Sequence, residues 1–405
     1  MSPATMLKQC LGDVFSSMHG ATLRVTLKAI DALGAGGWLT MTEIARHWPG
    51  AERVAAPLKA VDRLLRSRCL TQSHELLYGG LTRWLIRQGR PLIVVDWSDL
   101  KADGCFRLLR AALAVEGRTL TLYEEVHPQA QSGTPKVEAA FLRKLARLLP
   151  ADYCPIVITD AGFRIPWFRA VLRLGWDYVG RVRGTVQMQS ADPRLPASWD
   201  ECSTLRRLAP RQGAYDLGPH RLGRQAQLDT RLIVHQGKRK GRHAKTVTGR
   251  VRRDPISQEA ARSAREPWLL ATSLSSKEAT TRRVVNIYAR RMQIEESFRD
   301  LKSGDLGAGF EHSRTGKRER LANLLVLFSL TQLAAWLLGW CEEERGEGGR
   351  LEPRKTAQRK HHSLWRLGME VMRRPGWWPP ARHLRDFLRR VAKGCPPRLC
   401  TAVDD

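Results

Sequence analysis

Four polar residues at fixed spacing carry the strongest chemical signal in this sequence: Tyr288, Arg291, Glu295 and Lys302. At about 100° per residue, a helix through them would place all four within a strip roughly 60° wide. A carboxylate beside two cations and a phenol is suited to holding a metal ion next to a phosphate. The spacing therefore predicts a phosphate-handling site on one helix face. A solvated surface linked by i,i+4 ion pairs is the alternative.

The adjoining face of the same predicted helix is apolar and should pack on a core, because it carries Ile287, Ile294, Phe298 and Leu301. Glu296 follows Glu295 directly but points about 100° away from it, so we expect Glu296 to be exposed. The helix is thus predicted to be anchored on one side and chemically active on the other.

Two further carboxylates follow apolar runs upstream. Asp96 follows the run 91–95, and Asp160 follows the run 155–159. A central sheet places the ends of its strands side by side, so Asp96, Asp160 and Glu295 are the predicted site acids. Asp99 is expected to lie beyond the strand end, outside this group. Three carboxylates brought together can bind two Mg²⁺ ions roughly 3.5–4 Å apart.

The charge balance points to a polyanionic partner. Lys and Arg number 68 against 40 acidic residues, which gives +28 and a pI near 10.6. A membrane surface is the rival partner, but neither terminus shows a basic amphipathic helix or a lipidation signal. Nucleic acid is therefore the expected partner.

Cysteine usage and the apolar segments bear on the compartment. The eight cysteines include no CxxC pair, which favours reduced thiols over a zinc site. No signal-peptide pattern opens the chain, so we expect a cytoplasmic protein associated with the nucleoid. The apolar run 321–340 is interrupted by four polar residues and is predicted to be a buried helix rather than a membrane span.

The order of predicted elements gives the fold class. Residues 1 to about 75 are helical, and then come three strands, a helix, a strand, a helix and a strand. That order is typical of an α/β, ribonuclease-H-like core. The predicted domains are a helical domain (1–78), the first part of the core (79–183), a segment with short strand candidates (184–265), the second part of the core (266–320) and C-terminal helices (321–405). The basic end of the helical domain favours a DNA reader, and a cap packed on the core is the alternative.

Further basic residues are candidates for phosphate contact. Arg164 lies close behind Asp160, and the densest basic run contains Lys238, Arg239, Lys240 and Arg242. A solvated loop is the usual role of such a run. With this overall charge we expect it to contact DNA instead.

The motif Tyr-x2-Arg-x3-Glu-x6-Lys resembles the YREK signature of bacterial insertion-sequence DDE transposases, in the family numbered four. The resemblance implies that Asp96 bridges two Mg²⁺ ions, with Mn²⁺ able to substitute, while Asp160 and Glu295 hold one ion each. It implies that Tyr288, Arg291 and Lys302 grip the DNA backbone at the element's end.

The resemblance also implies a course of reaction: hydrolysis at the terminal inverted repeats, formation and opening of a hairpin, and strand transfer into target DNA. In that family the N-terminal region, here 1–78, binds the ends of the element at their repeats. A β-rich insertion, here 184–265, interrupts the catalytic core, and the C-terminal region helps pair two protomers. A homodimer is therefore expected in the synaptic complex, with no membrane partner. Two alternatives stay open: a nuclease of the same fold without strand transfer, and a catalytically silent DNA-binding protein derived from a transposase.

Overall fold

A computed structural model describes residues 1–87, 89–192, 194, 198–238, 255, 266–305, 307–351 and 362–394. The chain divides into two compact units. Unit 1 combines Met1–Tyr153 with the chain from Met292 onward, and unit 2 is Cys154–Arg291. Both contain helices and strands, which confirms the predicted mixed α/β class.

Unit 1 begins with helices, as predicted for residues 1–75. They are α1 (Pro3–Ser16), α2 (Gly20–Gly36), α3 (Met41–Arg46), α4 (Ala55–Leu65), α5 (Arg68–Gln72) and α6 (His74–Leu85). Gly37 ends α2 in the left-handed region at φ 80°, which glycine adopts without steric cost. Thr40 caps α3 by accepting a hydrogen bond from the Glu43 N–H at 3.2 Å. Local capping chemistry therefore sets these boundaries.

Three antiparallel strands follow in unit 1: β1 (Leu92–Asp99), β2 (Phe106–Ala114) and β3 (Thr119–Pro128), with β2 in the middle. Two helices pack against them, α7 (Pro135–Leu148) and α10 (Met292–Lys302). Both faces of this sheet are covered, which explains the nearly continuous apolar run in β1.

The rest of unit 1 is helical: α11 (Arg318–Glu344), α12 (Leu364–Met372) and α13 (Ala381–Lys393). α11 packs against α1, α2, α4, α6 and β3, so it forms the centre of the unit. Its length and a mean hydropathy of 1.9 would allow a membrane crossing, yet 94% of the apolar window is buried inside the protein. The prediction of a buried core helix agrees with this burial.

α11 and α12 touch backbone to backbone at two glycines. A Cβ on Gly368 would lie 1.7 Å from the carbonyl oxygen of Ala335, and one on Gly339 would lie 1.9 Å from that of Leu364. Only glycine fits at either position. α12 is therefore packed within its own chain.

Unit 2 is built on strands in the order β4-β5-β10-β9-β8-β6-β7. The strands are β4 (Ile156–Thr159), β5 (Asp177–Arg181), β6 (Gln187–Ser190), β7 (Asp200–Glu201), β8 (Gly213–Leu222), β9 (Leu228–Gln236) and β10 (Trp268–Thr272). β4 and β5 are parallel and joined by α8 (Ile165–Arg173), whereas the other pairs are antiparallel. α9 (Thr281–Ala289) closes the unit and packs against β4, β5 and β8.

Candidate active site

Asp96 is held inside β1, not at its end. The strand was predicted to finish at Asp96, but its pairing with β2 continues to Asp99, which pairs with Arg107. The prediction failed because Trp97 and Ser98, although less apolar than the preceding run, still pair with β2. Asp96 is 9% exposed, and its Oδ1 accepts a hydrogen bond from the Trp97 N–H at 2.8 Å. The carboxylate is therefore mostly buried and locally oriented.

Strand alternation assigns the two faces of β1. Asp96 and Ser98 lie on one face, whereas Trp97 and Asp99 lie on the other. On the second face Asp99 forms an ion pair with Arg107 at 3.0 Å, and the Trp97 indole donates to Glu138 of α7 at 3.1 Å. Asp99 was expected beyond the strand end, but it is the last residue of β1, and strand alternation places its side chain on the face opposite Asp96.

Lys302 lies on the same face of β1 as Asp96. Its Nζ donates to Ser98 Oγ at 2.9 Å and to the Asp99 carbonyl oxygen at 3.2 Å. Burial lowers the pKa of Lys302, and the charge of Arg110 adds to this effect, while the carboxylates of Asp99 and Asp96 oppose it. Two predicted site residues far apart in sequence are therefore neighbours in unit 1.

Arg110 was not predicted, yet it borders the site directly. It is the β2 residue paired with Asp96, and its side chain is fully buried. It forms an ion pair with Glu124 at 2.6 Å, and its guanidinium lies 5.2 Å from the centre of the Phe298 ring. A lone arginine inside the apolar run 108–115 is the sequence signal that identifies it, because charged residues are rarely buried without a partner.

The predicted single helix through the four signature residues is wrong. The chain forms α9 up to Ala289, turns at Arg290 and Arg291, and starts again as α10 at Met292. The Arg290 and Arg291 N–H groups bond to carbonyls three residues back, which tightens the turn and ends α9. The residues at the break include no glycine or proline, so the sequence pattern did not predict an interruption of the helix.

Tyr288 is consequently buried rather than aligned with Glu295. It is 3% exposed and packs edge-on against Trp268 at 4.9 Å between ring centres. Burial raises its pKa; the charges of Arg291 and Arg181 lower it, and the carboxylate of Asp160 raises it. Within unit 2, the charges of Arg291 and Asp160 both act on Tyr288.

Asp160 follows β4, as predicted. It is half-buried, and its Oδ1 accepts a hydrogen bond from the Gly162 N–H at 2.7 Å. A Cβ at Gly162 would lie 2.8 Å from that same oxygen, so glycine leaves room for this tight turn. Arg164 is exposed just before α8, where a phosphate could reach it.

Glu295 lies in the first turn of α10 and is exposed. The adjacent Glu296, expected to be exposed, is half-buried and forms ion pairs with Arg299 and, at 3.9 Å, with Arg118. The predicted apolar face is confirmed, with all four members buried: Ile287, Ile294, Phe298 and Leu301. In the basic run Lys238 is exposed, while Arg239, Lys240 and Arg242 lie outside the described residues.

The donor set suits a hard cation, because Asp96, Asp160 and Glu295 supply only carboxylate oxygens. Asp96 and Glu295 belong to unit 1 and Asp160 to unit 2. Within the described ranges, no three His, Cys, Asp or Glu side chains are grouped closely enough to hold a metal ion. The three-carboxylate site therefore stays a prediction.

Comparison with known proteins identifies the family. The family model described as "Transposase DDE domain" matches residues 87–332, well over half of the chain. A solved structure of the piggyBac transposase synaptic complex with hairpin DNA is similar at 12% identity and a TM-score of 0.41, covering 96% of this chain and 85% of that one. A search of curated proteins found no match. The matched segment contains Asp96, Asp160 and Glu295, and the chain belongs to the family of DDE-domain transposases.

Proposed function

We propose that this protein is a cut-and-paste DNA transposase of the bacterial insertion-sequence family numbered four, with the YREK signature. The observation that carries the proposal is the match of the transposase DDE domain to residues 87–332, which include Asp96, Asp160 and the whole signature. Two local arrangements support it. Lys302 lies beside Asp96 on one face of β1, and Tyr288 is within electrostatic reach of both Arg291 and Asp160.

The proposal assigns a role to each side chain. Asp96, Asp160 and Glu295 hold two Mg²⁺ ions, or Mn²⁺ in their place. Bound metal lowers the pKa of a water or a 3′-hydroxyl and stabilises the leaving oxygen of the phosphodiester. Arg291 and Lys302 contact the backbone at the element's end, because guanidinium and ammonium groups bind phosphate oxygens through charge-assisted hydrogen bonds.

The proposed reaction hydrolyses the terminal inverted repeats, passes through a hairpin and joins the ends to target DNA. Its core is ribonuclease-H-like, interrupted by a β-rich insertion. A homodimer in the synaptic complex holds the two ends, and the protein acts in the cytoplasm on the nucleoid. The net charge of +28 supports a DNA partner.

Isosteric substitution of the acids tests the proposal. Asp96→Asn, Asp160→Asn and Glu295→Gln should each abolish Mg²⁺-dependent nicking of an end-containing duplex while end binding persists. Each change keeps side-chain volume and removes one charge from the metal ligands. Gel shifts at matched salt measure the binding. Lys302→Ala and Arg291→Ala should instead reduce end-complex formation and hairpin processing.

Asp99→Asn is the matched control, because Asp99 lies on the same strand but on the opposite face, paired with Arg107. It should nick normally. Full nicking by Glu295→Gln, or loss of nicking by Asp99→Asn with Asp96→Asn active, would refute the assignment. A strand-transfer assay on paired ends then separates a transposase from a nuclease, and a silent DNA-binding protein would fail both assays.

A further inference from the structure

A groove lined by cations opens in unit 1, away from the residues assigned so far. It encloses about 670 Å³ between the end of α4, α5 and the segment 313–317 that precedes α11. We call it the basic groove, and its cations are Arg66, Arg68, Arg314, Lys317 and Arg320. None of them belongs to the signature or to the basic run near 240.

The wall of the basic groove is a fixed structure rather than a free loop. Lys101 Nζ donates to the carbonyl oxygens of Ser313 at 2.5 Å and Thr315 at 2.6 Å. Arg320 Nε donates to Thr315 Oγ1 at 2.9 Å, and another nitrogen of Arg320 lies 2.9 Å from Asp62. The segment is therefore fastened on both sides, so the positions of its cations are defined.

Charge in the basic groove is only partly balanced. Asp62 pairs with Arg320 and, at 3.3 Å, with Arg66. Arg68, Arg314 and Lys317 are exposed, and no carboxylate in the described part of the chain forms an ion pair with them. Glu319 also lines the groove, at its border with a neighbouring cavity. Three cations therefore remain to attract an anion.

The basic groove is connected to the strand that carries Asp96. Lys101 follows β1 closely, and it is the residue that fastens the groove wall. Lys302 bonds to Ser98 and Asp99 at the end of that same strand. The wall of the basic groove is thus fastened by a residue that lies two positions beyond the strand carrying Asp96.

We propose that the basic groove binds the sugar-phosphate backbone of duplex DNA on its way to Asp96. The proposal rests on the proposed function for the identity of the polyanion. Arginine and lysine at a groove wall contact phosphates without reading sequence, so the contact should be the same for any duplex. Arg68, Arg314 and Lys317 supply the contacts.

The test compares two triple variants of the full chain that lose the same charges. The groove variant is Arg68→Ala, Arg314→Ala and Lys317→Ala. The control variant is Arg382→Ala, Arg385→Ala and Lys393→Ala, which removes two exposed arginines and one exposed lysine from α13. Fluorescence anisotropy with a duplex of about 30 base pairs and arbitrary sequence gives the affinity across a salt series.

We expect the groove variant to bind duplex DNA more weakly. The slope of log affinity against log salt concentration should become shallower by roughly 2 to 3, at about 0.9 per lost phosphate contact. The control variant should keep a slope close to that of the unmodified protein. Equal slopes in the two variants would overturn the proposal. The result does not depend on nicking, so loss of nicking in Asp96→Asn tests the proposed function separately.

A second measurement needs no variant and remains valid if the groove variant does not fold. In the unmodified protein, amine acetylation followed by mass spectrometry reports which lysines the duplex covers. Bound duplex should slow acetylation of Lys317 and leave Lys393 unchanged. Equal acetylation of Lys317 with and without duplex would reject the basic groove as the contact.

Discussion

Glu124→Gln is the sharpest test of how the sheet beneath Asp96 is stabilised. Glu124 and Arg110 form an ion pair at 2.6 Å with side chains that are 1% and 0% exposed. Glu124 also accepts hydrogen bonds from Tyr78 and Ser329, each at 2.9 Å. The pair therefore joins α6, β2, β3 and α11 inside unit 1.

The expected loss of stability is large because the substitution leaves one charge without its partner. Glutamine keeps an oxygen for Tyr78 and Ser329, so those bonds can survive, but Arg110 becomes a buried cation with no counter-ion. Removing one member of a buried pair costs about 3–5 kcal/mol of unfolding free energy. That is a large part of the roughly 5–15 kcal/mol that stabilises a typical domain.

Native-state hydrogen exchange with mass spectrometry is the suitable assay, because a chain of two compact units need not unfold in one step. Peptides from β2 and β3 should exchange faster in Glu124→Gln, by the factor that corresponds to the expected loss of unfolding free energy. The exchange rates of peptides from unit 2 should not change. The control is the double variant Arg110→Met with Glu124→Gln, which removes both charges, keeps an acceptor oxygen for Tyr78 and Ser329, and should recover most of the stability.

A loss below about 1 kcal/mol in Glu124→Gln would refute the reasoning, because it would place the pair in the range of solvent-exposed ion pairs. Failure of the double variant to recover protection would also contradict it, since the cost would then come from packing rather than from an unpaired charge. Nicking should fall together with protection, because Arg110 is the strand partner of Asp96.

Two further predictions concern unit 1. Gly368→Ala should destabilise it by roughly 1–3 kcal/mol or more, because the new Cβ would lie 1.7 Å from the Ala335 carbonyl oxygen. The control Gly376→Ala, which has open space around the new Cβ, should leave the thermal midpoint of unfolding unchanged. Equal midpoints for the two variants would contradict the close contact at Gly368. His74 is half-buried, and desolvation lowers its pKa to about 4, although its hydrogen bond to Asn323 opposes the shift. As the pH falls, His74 is therefore protonated at a higher pH in the unfolded chain than in the folded one. The free energy of unfolding is highest above about pH 6.5 and falls by about 3 kcal/mol toward pH 4. His74→Gln should flatten that fall in urea titrations, and an unchanged pH dependence would exclude His74 as its source.

Sequence patterns predicted an element correctly where its local sequence signal agrees with its burial in the structure. The strand at 156–159 is confirmed because its apolar run is a signal that acts over a few residues and all four of its residues are buried. β8 was missed because Gly213, Gly218 and Pro219 interrupt its pattern. The pairing accommodates Gly218 through a bulge, with φ at 75°.

The candidate site residues stay a prediction, and the structure differs from the single helix that was predicted to carry four of them. Spacing selected Lys302, and the structure places it beside Asp96. Spacing alone assumed one helix, and the break after Ala289 buried Tyr288 instead. The contacts of Arg110 depend on strand pairing and on α10, which lies far along the chain. The sequence alone therefore showed only that Arg110 is a charged residue within an apolar strand.

The central position of α11 has a consequence for synthesis on the ribosome. The N-terminal helices α1, α2, α4 and α6 pack on a helix that begins at Arg318, more than 200 residues after α6 ends at Leu85. At about 5–20 residues per second, translation leaves those helices without their core partner for roughly 10–50 seconds. Unit 2 is complete in the nascent chain before α11 exists. The apolar faces of the first helices are therefore exposed to chaperones and proteases during that interval, and slower translation between residues 86 and 317 would lengthen it.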